Sequence, residues 1–463
     1  MSAAAPAPDG RRPRHGRTTA ARRHGPAIRS PPHADAGRPS PRKRFAPPKR
    51  SVRAVLKGKT MIHLSTDLPM QALRRRLSAI GMPLDELTAA LQEHAAQADR
   101  TGKIAPAFWE RVNVRGLNLN LVPPDHGGDP GLWPLMQRVL LMEQLGYADP
   151  ALALAMPGPG LATPPLLALA SESQQRALFA RFQKDHPVWG GFAITEPDIG
   201  SDATALRTTA RPVRDGYLLN GTKCFITNGA RADFVVTFAT LDKGRGRFGV
   251  RAFAVDSTAP GFEVVRLEKM LGLRASQLAV LSYSDCLVPH DSLLQRGDEG
   301  HMHDAFSGAQ SSWDFFRPVL SATIVGSCAR ARDELAAYLA AHQPAAPGWR
   351  RTDTEDLLAA AGGKIAMARL LCHKAAWRHE QGLSVSKDSS MAKAYASRIA
   401  MEIAEAVLQA VGAPGLHEHP VLERFYRNAK AYDILEGTGD MQRLMVARLQ
   451  QRQAAAADET AVF

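Results

Sequence analysis

The chain has 463 residues, 45% hydrophobic and 22% charged, which is too long for one ordinary core and apolar enough to enclose a deep, dry pocket. Its net charge of +13 is concentrated in residues 1–60, which hold 16 Lys+Arg and two acids; the remaining 42 Lys+Arg face 43 acids, so the body offers no nucleic-acid surface. No run reaches the ~18 uninterrupted apolar residues of a membrane helix, and Cys224, Cys286, Cys328 and Cys372 lack metal spacing and read as reduced thiols of a cytoplasmic protein.

Residues 1–60 hold ten of the 32 prolines and few large apolar residues, so they form a disordered basic tail. Such a tail fits a nucleic-acid or membrane-surface arm, a targeting peptide, or a translated upstream region with the start at Met61, the reading favoured because helical patterning begins only there. Residues 61–187 follow as a helical domain: Leu73, Leu77, Leu84 and Leu87 recur among charges, 139–145 is an apolar helix, and 123–130 is a Pro/Gly-rich loop.

Residues 188–298 change texture. Short runs at 188–195, 217–220, 224–227, 234–238, 250–255, 262–265 and 278–283 alternate with turn signals, predicting a small antiparallel barrel or sandwich. Helical spacing returns in 299–455. Leu320, Ile324, Cys328, Ala331, Leu335 and Tyr338 share one face, and Thr352 to Glu355 reads as a capping box opening a second helix with Leu358, Ile365 and Cys372. A third helix passes through Tyr395, Ile399, Ile403 and Ala410 and stops at Gly412-Ala413-Pro414-Gly415; a fourth covers 421–435; 456–463 is a tail.

Gly244 to Gly249 fits G-x-G-x-x-G but precedes a strand, so it reads as a hairpin loop. His417-Glu418-His419 lacks a third ligand and predicts no metal. Three other segments carry more information. The run 192–202, Phe-Ala-Ile-Thr-Glu-Pro-Asp-Ile-Gly-Ser-Asp, is a strand and a turn rich in hydroxyls and free N–H groups, suited to a phosphate or planar ring, or simply a polar hairpin. The run 220–229, Asn-Gly-Thr-Lys-Cys-Phe-Ile-Thr-Asn-Gly, holds a hairpin turn and a strand-end Thr. In 432–442, Glu436 ends a helix that Gly437 breaks; flanked by Ile434 and Leu435, it is either a desolvated base with a raised pKa or a solvated helix-end residue.

In this order the three segments resemble the acyl-CoA dehydrogenase family, through Thr-Glu-Pro-x-x-Gly-Ser-Asp, Asn-Gly-x-Lys-x-x-Ile-Thr-Asn-Gly and Glu-Gly-Thr. Val122-Pro123 with Gly127-Gly128, the run 269–276, and Arg427 with Ala429-Lys430 support it, over about residues 70 to 450. The resemblance implies an α+β multidomain chain: an N-terminal helical domain, a middle β-barrel and a C-terminal four-helix bundle, in a homotetramer or homodimer. It implies FAD, with Phe192, Ile194 and Thr195 lining the flavin and Gly200 and Ser201 at its pyrophosphate or the substrate. Phe225 and Thr227 would lie near the reactive nitrogen, Thr438 and Asp440 at the adenosine half, and Gln409 and Gly412 at a neighbouring subunit's FAD. Ser201, Arg274, Leu435 and Gly437 would meet substrate, and Glu436 would be the base. The implied reaction is oxidation of a CH–CH group in an acyl-CoA thioester, with electrons passing to an electron-transfer flavoprotein. Alternatives are a carrier-protein-bound acyl or aminoacyl thioester, an oxidase using oxygen, and a flavin-free binding protein. Departures from the family pattern are the missing Arg and Phe-Gly around 342–349, Ala413, Leu435 and Asp440.

Overall fold

The computed structural model describes residues 67–295, 305–342 and 348–460, with backbone alone for 348–352 and 455–460. The readings placed on the 1–60 tail, on Met61 and on 343–347 fall outside these residues.

Eight helices come first: α1 Asp67–Ala79, α2 Leu84–Thr101, α3 Pro106–Trp109, α4 Val114–Leu119, α5 Leu135–Ala148, α6 Pro150–Ala155, α7 Thr163–Leu169 and α8 Glu172–Ala180. In α2 the inward positions Leu84, Leu87, Leu91, Ala95 and Ala98 step by three or four residues, and Asp85 and Glu86 sit in its first turn, where acids suit the helix dipole. A reciprocal capping box opens α8, with Ser171 accepting from the Gln174 N–H while Gln174 accepts from the Ser171 N–H.

Seven strands follow: β1 Gly190–Ala193, β2 Thr209–Val213, β3 Gly216–Ile226, β4 Phe234–Thr240, β5 Val250–Asp256, β6 Phe262–Leu267 and β7 Ala279–Val288. They form a curled sheet in the order β1-β4-β2-β3-β7-β6, with β5 on β4. Pairing is antiparallel apart from β1–β4 and a single β2–β4 pair. β4 is buried on both faces, so its run is apolar apart from Thr237 and Thr240: Phe234, Val236 and Phe238 pack with Leu166, Phe179 and Phe182, and Val235 and Ala239 pack with Phe253, Leu281 and Tyr283.

Two expectations fail here. β2 was not predicted, because it carries exposed Arg211 and Pro212 rather than an apolar alternation. Asn220-Gly221 is no hairpin turn: β3 runs through it, and the register on β7 merely shifts between Leu219 and Gly221. The Gly244 to Gly249 stretch does join the β4–β5 hairpin.

The helical region contains α9 Ala305–His342, α10 Gly348–Glu380, α11 Ser386–Glu418, α12 Pro420–Tyr432 and α13 Gly439–Thr460. Helix α10 begins four residues before Thr352, so 352–355 lies inside it and is no cap. Helix α11 kinks at Gly412 (φ 63°) but resumes to Glu418, because one left-handed residue breaks the ladder without redirecting the chain. The fourth helix ends at Tyr432, three residues before the expected limit, and α13 continues through 456–460, which were read as tail. Helix α11 is long and apolar enough to cross a bilayer, yet Ile399, Ile403 and Val407 bury in the same core as Ile324 of α9 and Ile365 of α10.

Candidate active site

Two of the sequence motifs are fastened to each other. The Cys224 N–H donates to the Thr195 carbonyl at 3.0 Å, placing β3 against the strand-to-turn segment after β1. Beneath them Lys223, with 0% exposure, donates to the Ile194 carbonyl at 3.1 Å and to Glu196 Oε1 at 2.8 Å. Thr208 donates to the same oxygen through N–H (2.8 Å) and hydroxyl (2.6 Å), and the Arg207 N–H donates to Oε2 at 2.7 Å. Burial opposes the Glu196 charge, but Lys223 and these donors hold its carboxyl below the usual range. The 196–208 loop thus hangs on one saturated carboxylate.

This arrangement presents Phe225 outward. It occupies the left-handed region at φ 57° and leaves its ring 56% exposed. Phe192 and Thr195 are half-buried, Ile194 is buried, and Gly200 and Ser201 are exposed, with open space on the side of Gly200 where a Cβ would stand. Among the described residues no side chain or backbone group pairs with the hydroxyls of Thr195, Ser201 or Thr227. An exposed ring and three free hydroxyls on one motif pair suit a planar, phosphate-bearing ligand.

The run 269–276 links this region to the helices. The Asn228 N–H donates to the Ser276 carbonyl at 2.9 Å, while the Leu273 N–H donates to Asn428 Oδ1 of α12 at 2.7 Å. Arg427 reaches the Leu271 carbonyl at 3.0 Å and grips Asp99 of α2 with both terminal nitrogens, at 2.6 and 3.0 Å. Gly272 permits this contact: a Cβ there would stand 2.5 Å from the Arg427 backbone. Arg274, half-buried, turns its Nε back onto the Met270 carbonyl at 3.1 Å.

Helix α12 delivers the chain into the turn 433–438. Glu436 sits there at φ 52° and Gly437 at φ 92°. A left-handed Glu costs roughly 1–2 kcal/mol, and side chains from three helices hold it. Arg317 Nε of α9 donates to the Glu436 carbonyl at 3.3 Å, Gln442 Nε2 of α13 donates to the Glu436 and Gly437 carbonyls at 3.1 and 3.2 Å, and Lys393 Nζ of α11 donates to those of Asp433 and Gly437, each at 2.9 Å. These bonds occupy the turn's backbone and leave the Glu436 carboxyl unused. Its Oε2 is closed off from solvent and has no hydrogen-bond partner among the described residues. Burial pushes this carboxyl up to about 7, against the pull of Arg317 and Lys393. Such a group exchanges a proton near neutral pH.

The remaining expected site residues are more scattered. Leu435 packs against the helical core. The Thr438 hydroxyl accepts from the Met441 N–H at 3.3 Å, capping α13, and exposed Asp440 pairs with Arg443 at 2.6 Å. Gln409 and Gly412 are exposed on α11. Sequence reasoning gave no role to Glu196, Lys223, Arg317, Lys393 or Gln442. One signal was present: Lys393 lies in helical step with buried Ala396, Ala400 and Ala404, where a charge needs a purpose.

Three domain profiles match the chain: the acyl-CoA dehydrogenase N-terminal domain over 85–184, the middle domain over 191–286 and the C-terminal domain over 306–450. An acyl-CoA dehydrogenase of Bacillus subtilis is 34% identical over 353 residues, 76% of this chain and 91% of that protein. Butyryl-CoA dehydrogenase from Megasphaera elsdenii superposes with a TM-score of 0.73 at 27% identity, covering 84% of this chain and 99% of that one. PigA with FAD and proline shares the fold at 23% identity and a TM-score of 0.72, covering 85% of this chain and 99% of that one.

Proposed function

We propose, from the premise that this chain belongs to the acyl-CoA dehydrogenase family, that it introduces an α,β double bond into an acyl-CoA thioester with Glu436 as the base. Family membership makes it an FAD-dependent oxidoreductase acting on CH–CH groups. The free hydroxyls of Thr195, Ser201 and Thr227 and the exposed ring of Phe225 would hold the cofactor. When bound, FAD supplies the acceptor for the hydrogen and electron pair that leave the β-carbon.

The reading rests on the Glu436 carboxyl: half-buried as a residue, with Oε2 closed off from solvent and unpartnered, and raised to about 7. A thioester α-proton is weakly acidic, so the base must be desolvated and fixed before substrate arrives. Glu436 takes the α-proton on its carboxylate, the Cα–H electron pair becomes the new double bond, and the β C–H pair departs. Arg317 and Lys393 offset the burial penalty enough that the carboxylate is substantially ionised at neutral pH. The proposed electron acceptor is an electron-transfer flavoprotein.

Anaerobic addition of an acyl-CoA series, beginning with butyryl-CoA, to the flavin-loaded protein tests this. Loss of the oxidised-flavin absorbance is expected with at least one thioester. Glu436→Gln should keep its flavin spectrum and slow bleaching by roughly 10²–10⁴-fold; near-normal bleaching by that variant removes Glu436 from the role. Bleaching by an acyl-carrier thioester but by no acyl-CoA would move the substrate assignment, and peroxide formed in step with turnover would identify an oxidase.

A further inference from the structure

The turn that carries Glu436 is held by an ammonium group whose placement is unusual. Lys393 has 0% exposure, and its Nζ meets the carbonyls of Asp433 and Gly437, which stand four residues apart on either side of the base. Among the described residues no carboxylate lies within ion-pairing distance of it. A neutral Met would fill the same volume without the desolvation penalty of a buried cation. Two hydrogen bonds to neutral carbonyls do not cancel that charge; they only orient it.

We infer that Lys393 is a positioning residue for the Glu436 base, clamping both ends of the 433–437 turn so that the carboxylate is aimed and placing an ammonium group beside it. The inference rests on Glu436 acting as the base. The clamp is needed because Glu436 itself sits at φ 52°, a conformation the isolated backbone would leave. The charge is needed because burial alone would keep the carboxyl protonated.

The charged groups around the turn come from each element packed on it. From α9 come Arg317, whose terminal nitrogen lies 3.7 Å from Asp314. Asp433 belongs to the turn, and its carboxylate accepts from the Ser397 hydroxyl at 3.2 Å. Arg443 of α13 acts on Lys393 from further away and also pairs with Asp440. Arg317 therefore shares its charge with an acid, whereas the charge of Lys393 faces Glu436 and Asp433 without a direct partner.

Lys393→Met and Lys393→Gln in the holoenzyme, assayed across pH beside Glu436→Gln, separate the two contributions. Lys393→Met, losing clamp and charge, should lower kcat by on the order of 10²-fold with little change in KM, and move the acidic limb of kcat to higher pH. Lys393→Gln keeps an N–H donor, so it should lose less kcat yet show the same alkaline displacement of that limb. An infrared band of the protonated carboxyl, identified by its absence in Glu436→Gln, should persist to higher pH in both variants. If Lys393→Met fails to fold, Lys393→Gln decides alone. Both variants with the wild-type limb and infrared titration overturn the assignment of Lys393. Near-normal turnover in Glu436→Gln overturns the base itself, a separate and recognisable failure.

Discussion

Two wholly buried lysines hold the two halves of the site, and they are wired differently. Lys223, in the β-domain, ends on Glu196, whose oxygens also collect Thr208 and Arg207; charge is answered by charge on the spot. Lys393, in the bundle, ends on carbonyls. The first arrangement fastens a loop, and its two charges pull a neighbour such as Cys224 in opposite directions. The second leaves an electrostatic field directed at a carboxyl that has no partner of its own. A closed pair builds scaffold; an open charge tunes reactivity.

The comparison breaks most visibly at the closed pair. Lys223→Met strands the Glu196 carboxylate in a buried site and should cost about 3–5 kcal/mol, read as a lowered denaturation midpoint with loss of bound flavin. Adding Glu196→Gln should recover part of that loss, as expected of a pair that cancels; equal or greater damage in the double variant would contradict it.

A smaller effect sharpens the other half. The fold raises Glu436 above its ordinary 4.5 to about 7, so the folded state binds the proton more tightly than the unfolded chain. Its contribution favours folding below about pH 4.5 and is lost as pH rises through about 7. Glu436→Gln, uncharged throughout, should therefore be more stable than wild type at pH 8, by up to about 3 kcal/mol, with the gain vanishing near pH 4. Thermal melts at the two pH values test this, and a gain that ignores pH would refute the burial account.

The smallest change concerns the free hydroxyls. Thr227→Val should weaken flavin retention by one hydrogen bond, about 0.5–1.5 kcal/mol, measured by flavin release during dialysis, while leaving the melting behaviour of the apoprotein unchanged.

The sequence made some of this readable and concealed the rest for definable reasons. The β-branched and aromatic run at 234–238 announced β4 because both its faces are buried, whereas Thr209–Val213 concealed β2 behind an arginine and a proline. Glu436, Phe225 and Thr227 could be singled out as candidates because they stand inside short, ordered motifs. Lys393 and Arg317 were missed because they reach the turn from 44 and 119 residues away, a distance no local pattern spans. The limits of the helices were misread where a kink was taken for an end, as at Gly412, and where a helix began before its apparent cap, as at Gly348.

The left-handed backbone at Glu436 has a consequence for how this chain changes under selection. At φ 52° the residues that fit with least strain are Gly and, after it, Asn or Asp. A library of the 433–438 turn sorted for thermal survival alone would drift at position 436 toward those residues and lose the proposed base as it gained robustness. Sorted for turnover, the same library should keep Glu and gather its improvements elsewhere. The divergence between the two sorted populations at that one position would measure, in residue frequencies, how strongly the turn is set against its own relaxation.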